Sequence, residues 1–260
     1  MRTKLLWVGL AVAIAATLVV ASRGDDMTNQ RQPVLVELFT SEGCSSCPPA
    51  DALLEKLDRE QPIAGAQIIV LSEHVDYWNH LGWTDPFSSA AFSARQETYA
   101  RRFGLDGPYT PEMVVDGGAE CNGSDSRKAE AAIRHAIEAP KVGIRMRAAA
   151  SGDAAVTLEV DPLPEGKIHK ANIYVARAAD RGTSDVLGGE NRGRTLRYVS
   201  IVGDIQPVGS ISGNAMFTKQ LPVRGAKAPP GSRLIAFVQE GGTGRVLGAA
   251  MYTIPAGGKP

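Results

Sequence analysis

Between residues 34 and 49 a short apolar run, Val34-Leu35-Val36-Glu37-Leu38-Phe39, breaks at Thr40-Ser41-Glu42-Gly43 and gives way to Cys44-Ser45-Ser46-Cys47-Pro48-Pro49. The run reads as a buried strand ended by a turn. From Pro48 onward Ala50, Leu53, Leu54 and Leu57 recur at helical spacing, and the Pro-Pro pair suits a first helical turn. The two cysteines therefore sit where a buried strand hands over to a helix. At a helix amino-terminus the free N–H groups and the dipole stabilise a thiolate, so Cys44 is the expected nucleophile. Cys47, one turn in, is expected to be covered and placed to resolve a mixed disulfide. Ser45 and Ser46 can hydrogen-bond there but bring no charge.

The pattern after this junction alternates. Gln67–Leu71 reads as a second buried strand, and Ser88-Ser89 caps a helix running to about Phe103, with Gly104 as its stop. Met113–Val115 is a third strand, Asp116-Gly117 signals a hairpin into a fourth, and a last helix spans about 126–139. Strand, helix, strand, helix, strand, hairpin strand, helix is the order of a thioredoxin-like domain. In such a fold the proline of Tyr109-Thr110-Pro111, just before the third strand, is cis and packs against the disulfide.

After Pro140 the helical signal fades. Candidate strands lie at 142–147, 155–160, 171–176, 195–202, 215–221, 234–239 and 246–253, parted by Gly, Pro, Asp and Asn clusters. The expected fold class is thus an α/β thioredoxin-like domain over residues 33–140, followed by an all-β sandwich-like domain over 141–255.

The chain's start differs from the rest. Arg2 and Lys4 precede a charge-free apolar run from Leu5 to Ala21, and Val19 and Ala21 offer small residues ahead of a polar stretch. Residues 1–25 read as a secretory signal peptide. The competing reading is an uncleaved anchor, since the run falls just short of the ~20 residues that span a bilayer. Either way the folded part is expected in the periplasm or outside the cell. Lys+Arg and Asp+Glu both number 28, which leaves no electrostatic footprint for nucleic acid. The membrane is expected as a partner only through the N-terminal segment, if that is uncleaved. Three cysteines are too few for a disulfide scaffold, and Cys121 stands apart from the pair.

Other residues gather as candidates around the cysteines. Glu37 is a candidate buried acid near Cys47, or else a strand-end Glu facing solvent. His74-Val75-Asp76-Tyr77-Trp78 follows the second strand, whose carboxyl end faces the side where such folds place ligands. There His74 or Asp76 could tune the thiolate, or Tyr77, Trp78 and Trp83 could line a substrate surface; the alternative is that the aromatics pack a loop and His74 makes an internal hydrogen bond. Glu190-Asn191-Arg192-Gly193-Arg194 reads either as a salt-bridged loop docking the second domain onto the first or as an ordinary polar turn between strands.

The stretch Val36–Asp51, together with His74–Trp78, Leu81-Gly82-Trp83, Tyr109-Thr110-Pro111 and Gly189–Leu196, resembles the secreted domain-of-unknown-function 1223 family. The resemblance runs from about Pro33 to Ala250 and implies a thioredoxin-like fold and export. Gly43 stands where ordinary thioredoxins carry Trp, and Ser-Ser where they carry Gly-Pro, so the redox direction stays open. The function expected is thiol–disulfide exchange, with Cys44 attacking, Cys47 resolving, and Thr110 and Pro111 shaping the groove. Protein thiols or disulfides of the cell envelope are the partners, and the Cys44–Cys47 disulfide is the sole redox group, with no further cofactor and no metal. Two rivals remain open: a periplasmic copper-binding protein using Cys44 and Cys47 with His74, and a non-catalytic envelope interaction protein whose disulfide is structural.

Overall fold

The computed structural model describes residues 31–149, 155–166, 168–223 and 231–255. The signal-peptide or anchor reading of residues 1–25 falls outside them. Eleven strands and three α-helices appear among the described residues, in the order β1 (Gln32–Thr40), α1 (Pro48–Glu60), β2 (Ala66–His74), α2 (Ala90–Phe103), β3 (Glu112–Val115), β4 (Ala119–Asn122), α3 (Ser126–Ala136), β5 (Ile144–Ala148), β6 (Ala155–Val160), β7 (Lys170–Asp185), β8 (Thr195–Ser212), β9 (Phe217–Pro222), β10 (Arg233–Gln239) and β11 (Val246–Thr253).

Local chemistry accounts for the element ends. Ser89 accepts a hydrogen bond from Ala91 N–H at the start of α2, and Gly104 at φ 70° closes it in the left-handed region that glycine tolerates. Asp125 caps α3 through Lys128 N–H. β1 pairs in parallel with β2 over its whole length and antiparallel with β3, which pairs antiparallel with β4. Val34, Val36 and Leu38 pack with α1 and α3, while Leu35 and Phe39 face the other way, toward α2 and β10. β1 is thus buried on both faces, as strands with helices or further layers above and below must be.

The expected fold class is overturned by how the second half attaches. The described residues are mostly β, 43% strand against 19% helix, and the strands do not divide into an α/β thioredoxin-like domain and a separate sandwich. A single mixed sheet runs β11-β10-β7-β8-β2-β1-β3-β4, and only β5-β6-β9 form a second, three-stranded sheet. The junction is β8 against β2, where Ser72 pairs with Ile201. Beyond it Arg233 bonds Asp58 on α1 through two nitrogens, at 2.6 and 2.9 Å, and Asp180 on β7. The physical reason lies in β7 and β8. They form a hairpin of 16 and 18 residues, far longer than the usual strand. One end of that hairpin packs on β6 through Ala171, Ile173 and Val175, and the rest extends along the first half.

Candidate functional site

The site is the loop between β1 and α1. Cys47 is the N-cap of α1, and Pro48 and Pro49 fill its first turn without loss, because those N–H groups would have no helical acceptor. Cys44 and Cys47 form a disulfide with Cα atoms 5.4 Å apart. Cys44 N–H donates to Ser41 O and Cys47 N–H to Cys44 O, each at 3.2 Å, so the loop is wound before the helix begins. Ser45 and Ser46 are exposed, and the Ser46 hydroxyl lies 3.4 Å from Cys44 Sγ. Both cysteines are 0% exposed. In this state a thiol in solution reaches neither sulfur, which bears directly on what the pair can do.

Two segments close over the loop. The first follows β2. Trp78 packs on Gly43 so closely that a Cβ on Gly43 would lie 2.9 Å from Trp78 Cβ. Its indole N–H donates to Thr110 Oγ1 at 2.8 Å, and the Thr110–Pro111 peptide is cis. Since β3 begins opposite Phe39, Thr110 and Pro111 fall at the sheet end that carries the cysteines. The second segment is the tip of the β7–β8 hairpin. Buried Asn191 donates from Nδ2 to Glu42 O and Cys44 O, both at 2.9 Å, and exposed Glu190 accepts from Ser45 N–H at 3.0 Å. The Ser45 hydroxyl and, after it, the Ser45 N–H hold the Glu190 carboxyl below its ordinary range. Residues 190–194 thus dock on the cysteine loop, through hydrogen bonds to main-chain groups in place of the salt bridges expected.

The remaining candidates separate. Glu37 is fully buried but shares its strand face with Leu35 and Phe39, away from α1. It accepts from Tyr99 Oη and Arg95 Nε, each at 2.7 Å. Beside it burial drives the Glu73 carboxyl well above its usual range, Glu37 adds to this, and Arg95 opposes it. Asp76 is tied to Ser93 of α2, and Tyr77 donates to Gln96 Oε1 at 3.1 Å, with burial pushing its phenol up to about 12. His74, 0% exposed, lies 2.7 Å from Asp85 Oδ2 through Nδ1 and meets the Tyr198 ring edge-on at 4.6 Å. Cys121 is buried and unbridged on β4, packed in the α1–α3 core, where burial pushes its thiol up to about 11.

Three residues absent from the sequence-level candidates, Glu42, Asp51 and Asp85, complete the site together with Trp83. Asp85 Oδ2 also accepts from Glu42 N–H at 2.9 Å, and Trp83 donates to Glu42 Oε2 at 2.6 Å. Burial opposes charge on Asp85, yet His74 and the N–H groups of Glu42 and Phe87 hold its carboxyl low. Burial instead raises Glu42, against the pull of Trp83 and Ser184. Asp51 lies in the first turn of α1, one turn past Cys47, and is 5% exposed. Burial pushes its carboxyl up to about 7, against His74 and the Thr40 hydroxyl. So the buried acid of α1's own end is Asp51. Its sequence signal was position alone, an acid four residues past the second cysteine. Among the described residues no three His, Cys, Asp or Glu side chains are grouped to hold a metal ion.

A protein from Agrobacterium tumefaciens has a similar structure, with a TM-score of 0.69, 29% identity, and coverage of 89% of this chain and 97% of that one. HBP35 of Porphyromonas gingivalis aligns with a TM-score of 0.51 and 14% identity over 89% of this chain and 79% of that one, a likeness of fold alone. No curated relative matches the sequence. The family described as a protein of unknown function, DUF1223, matches residues 35–239, most of the chain, and it is to this family that the chain belongs.

Proposed function

We propose that this protein is an exported thiol–disulfide oxidoreductase of the cell envelope, acting through Cys44 and Cys47 on protein thiols or disulfides. The observation that carries the reading is the disulfide's place at the amino-terminal end of α1. A thiolate left there on opening meets the helix's unpaired N–H groups. A substrate thiolate attacks Cys44 Sγ and forms a mixed disulfide, while the Cys44–Cys47 bond breaks and Cys47 leaves as a thiolate that takes up a proton. The substrate's second thiolate then attacks its own sulfur in the mixed disulfide, forming the substrate disulfide and releasing Cys44 as the second thiol. Two electrons pass from substrate to the pair, and the reverse sequence returns them. Thr110 and Pro111, held by Trp78, flank the approach. Export rests on the apolar start of the chain and on the oxidising setting in which such a bond persists.

One observation favours a second reading, a structural disulfide: both sulfurs are fully buried. The reduction potential of the pair separates the two. Equilibration of the full chain in glutathione buffers, with alkylated thiols counted by mass, should give about −120 to −230 mV for an exchange catalyst. A value below about −300 mV assigns the bond to structure. Cys44→Ser should abolish exchange with scrambled ribonuclease, and undiminished exchange would refute the assignment.

A further inference from the structure

The β7–β8 hairpin ends in a tip, Val186–Arg194, that is folded on itself before it touches the cysteine loop. Gly193 N–H donates to Val186 O, Arg192 N–H to Gly189 O, and Arg194 N–H to Asn191 O. Arg194 also donates from Nη1 to Asn191 Oδ1 at 2.8 Å, which fixes the carboxamide with its NH2 toward the loop. Two glycines let the tip come close: a Cβ on Gly188 would lie 2.5 Å from Gly82 O, and one on Gly189 would lie 3.2 Å from Trp83 Cβ and 4.0 Å from Gly43 Cα. Three main-chain polar groups within residues 42–45, Glu42 O, Cys44 O and Ser45 N–H, are thereby occupied by side chains of residues 190 and 191.

The loop backbone offers two acceptors and one donor, and the tip meets them with two N–H donors and one acceptor oxygen, the kinds of group that a polypeptide main chain presents in its alternating N–H and C=O groups. A small thiol offers no such set. The tip's hold is also of a displaceable kind. Glu190 is exposed, and the next ladder pair below the tip, Asp185 with Thr195, is held by its own hydrogen bond, 2.6 Å from Thr195 Oγ1 to Asp185 Oδ1. Leu187 within the tip, 72% exposed, and Leu81 beside it, 42% exposed, add apolar surface.

We propose that the Glu190–Asn191 tip is a built-in occupant of the recognition surface around Cys44 and Cys47, displaced by a cysteine-bearing polypeptide segment whose main chain takes over its hydrogen bonds. The inference rests on the exchange reading and adds its gate and the main-chain recognition of its polypeptide substrate. With the tip seated both sulfurs are covered; with it lifted, the attack on Cys44 Sγ described above becomes possible.

Dithiothreitol is the probe for the gate. It supplies both electrons: one thiolate joins Cys44 Sγ as Cys47 leaves, and the second closes the oxidised ring and frees Cys44. In the full chain under native conditions, Asn191→Ala should speed this reduction ~10-fold or more, since two buried carbonyls lose their donor. Glu190→Gln, an exposed change that leaves the fold intact, should speed it a few-fold. Amide hydrogen exchange on the same samples guards against global unfolding: Ser45 N–H should exchange well before the β1 amides, and sooner still in Glu190→Gln. Unchanged reduction rates in both variants, or Ser45 exchanging only with β1, would overturn the gate. Scrambled ribonuclease distinguishes the two failures. Exchange by wild type that neither variant accelerates removes the gate and keeps the exchange reading. Faster dithiothreitol reduction without any exchange with ribonuclease removes the exchange reading, and with it the substrate class.

Discussion

Replacing Asp51 with Asn removes a carboxyl that folding holds in its neutral form. Burial pushes this group from 3.8 to about 7, and the neighbouring carboxyls of Asp85 and Glu42 act in the same direction, while His74 on β2 and Thr40 on β1 oppose it. The folded protein therefore keeps a proton that the unfolded chain has lost between about pH 4 and pH 7. Stability from this site is complete below about pH 4, falls as pH rises through that window, and is flat above it. At 1.36 kcal/mol per unit, the whole shift corresponds to roughly 4 kcal/mol, an upper bound on the cost at about pH 8. Asn does not titrate. The stability of Asp51→Asn relative to wild type should therefore climb with pH by up to about 4 kcal/mol. Glu112, raised to about 7, and Asp116, raised to about 6, contribute slopes of the same sign in both proteins and cancel in the difference. Urea unfolding followed by the fluorescence of Trp78 and Trp83, at several pH values from about 4.5 to 8, reads this directly. Two curves that run parallel in pH would refute the reasoning, whatever their absolute separation.

Two substitutions test how the loop and the sheet behind it are held. Gly43→Ala places a Cβ 2.9 Å from Trp78 Cβ, and the shift this forces should cost about 1–3 kcal/mol and alter Trp78 emission; a variant as stable as wild type would show that the contact yields freely. Arg95→Met leaves Glu37 and Glu73, both 0% exposed, without their shared cation. Loss of one partner from such a buried group should cost ~3–5 kcal/mol, read as a lowered urea midpoint, and a loss below about 1 kcal/mol would mean that both carboxyls are already neutral.

What could be read from the sequence divides along physical lines. Caps and breakers are local, and they placed the starts of α1 at Pro48 and α2 after Ser89, the stop at Gly104, and strands overlapping each of the seven expected after Pro140. The facing of Glu37 was not local. Every residue from Val34 to Thr40 is buried, so no alternation marks one face, and only the positions of α1 and α2 decide where the carboxyl goes. Asp51 posed the opposite problem. An acid in a first helical turn is ordinarily explained by the helix dipole, and nothing in the spacing shows that α1 turns this one inward.

The hairpin of β7 and β8 is the element that most changed the architecture, and its extra length serves the cysteine loop. A hairpin reaching only to Ala178 and Val202 would have sufficed to pack β6 and pair β10. The hairpin instead extends through Tyr198, whose ring meets His74, to Asn191, whose carboxamide holds Cys44 O. His74 in turn lies against Asp85, which also accepts from Glu42 N–H in the same loop. The loop's backbone is thus gripped from two directions, by Asp85 at Glu42 N–H and by Asn191 at Glu42 O. Neither grip comes from the strand or helix that the loop joins. In the proposed gate these buried side chains hold the disulfide loop closed, and the reduction rate of Asn191→Ala measures how much of that hold the hairpin supplies.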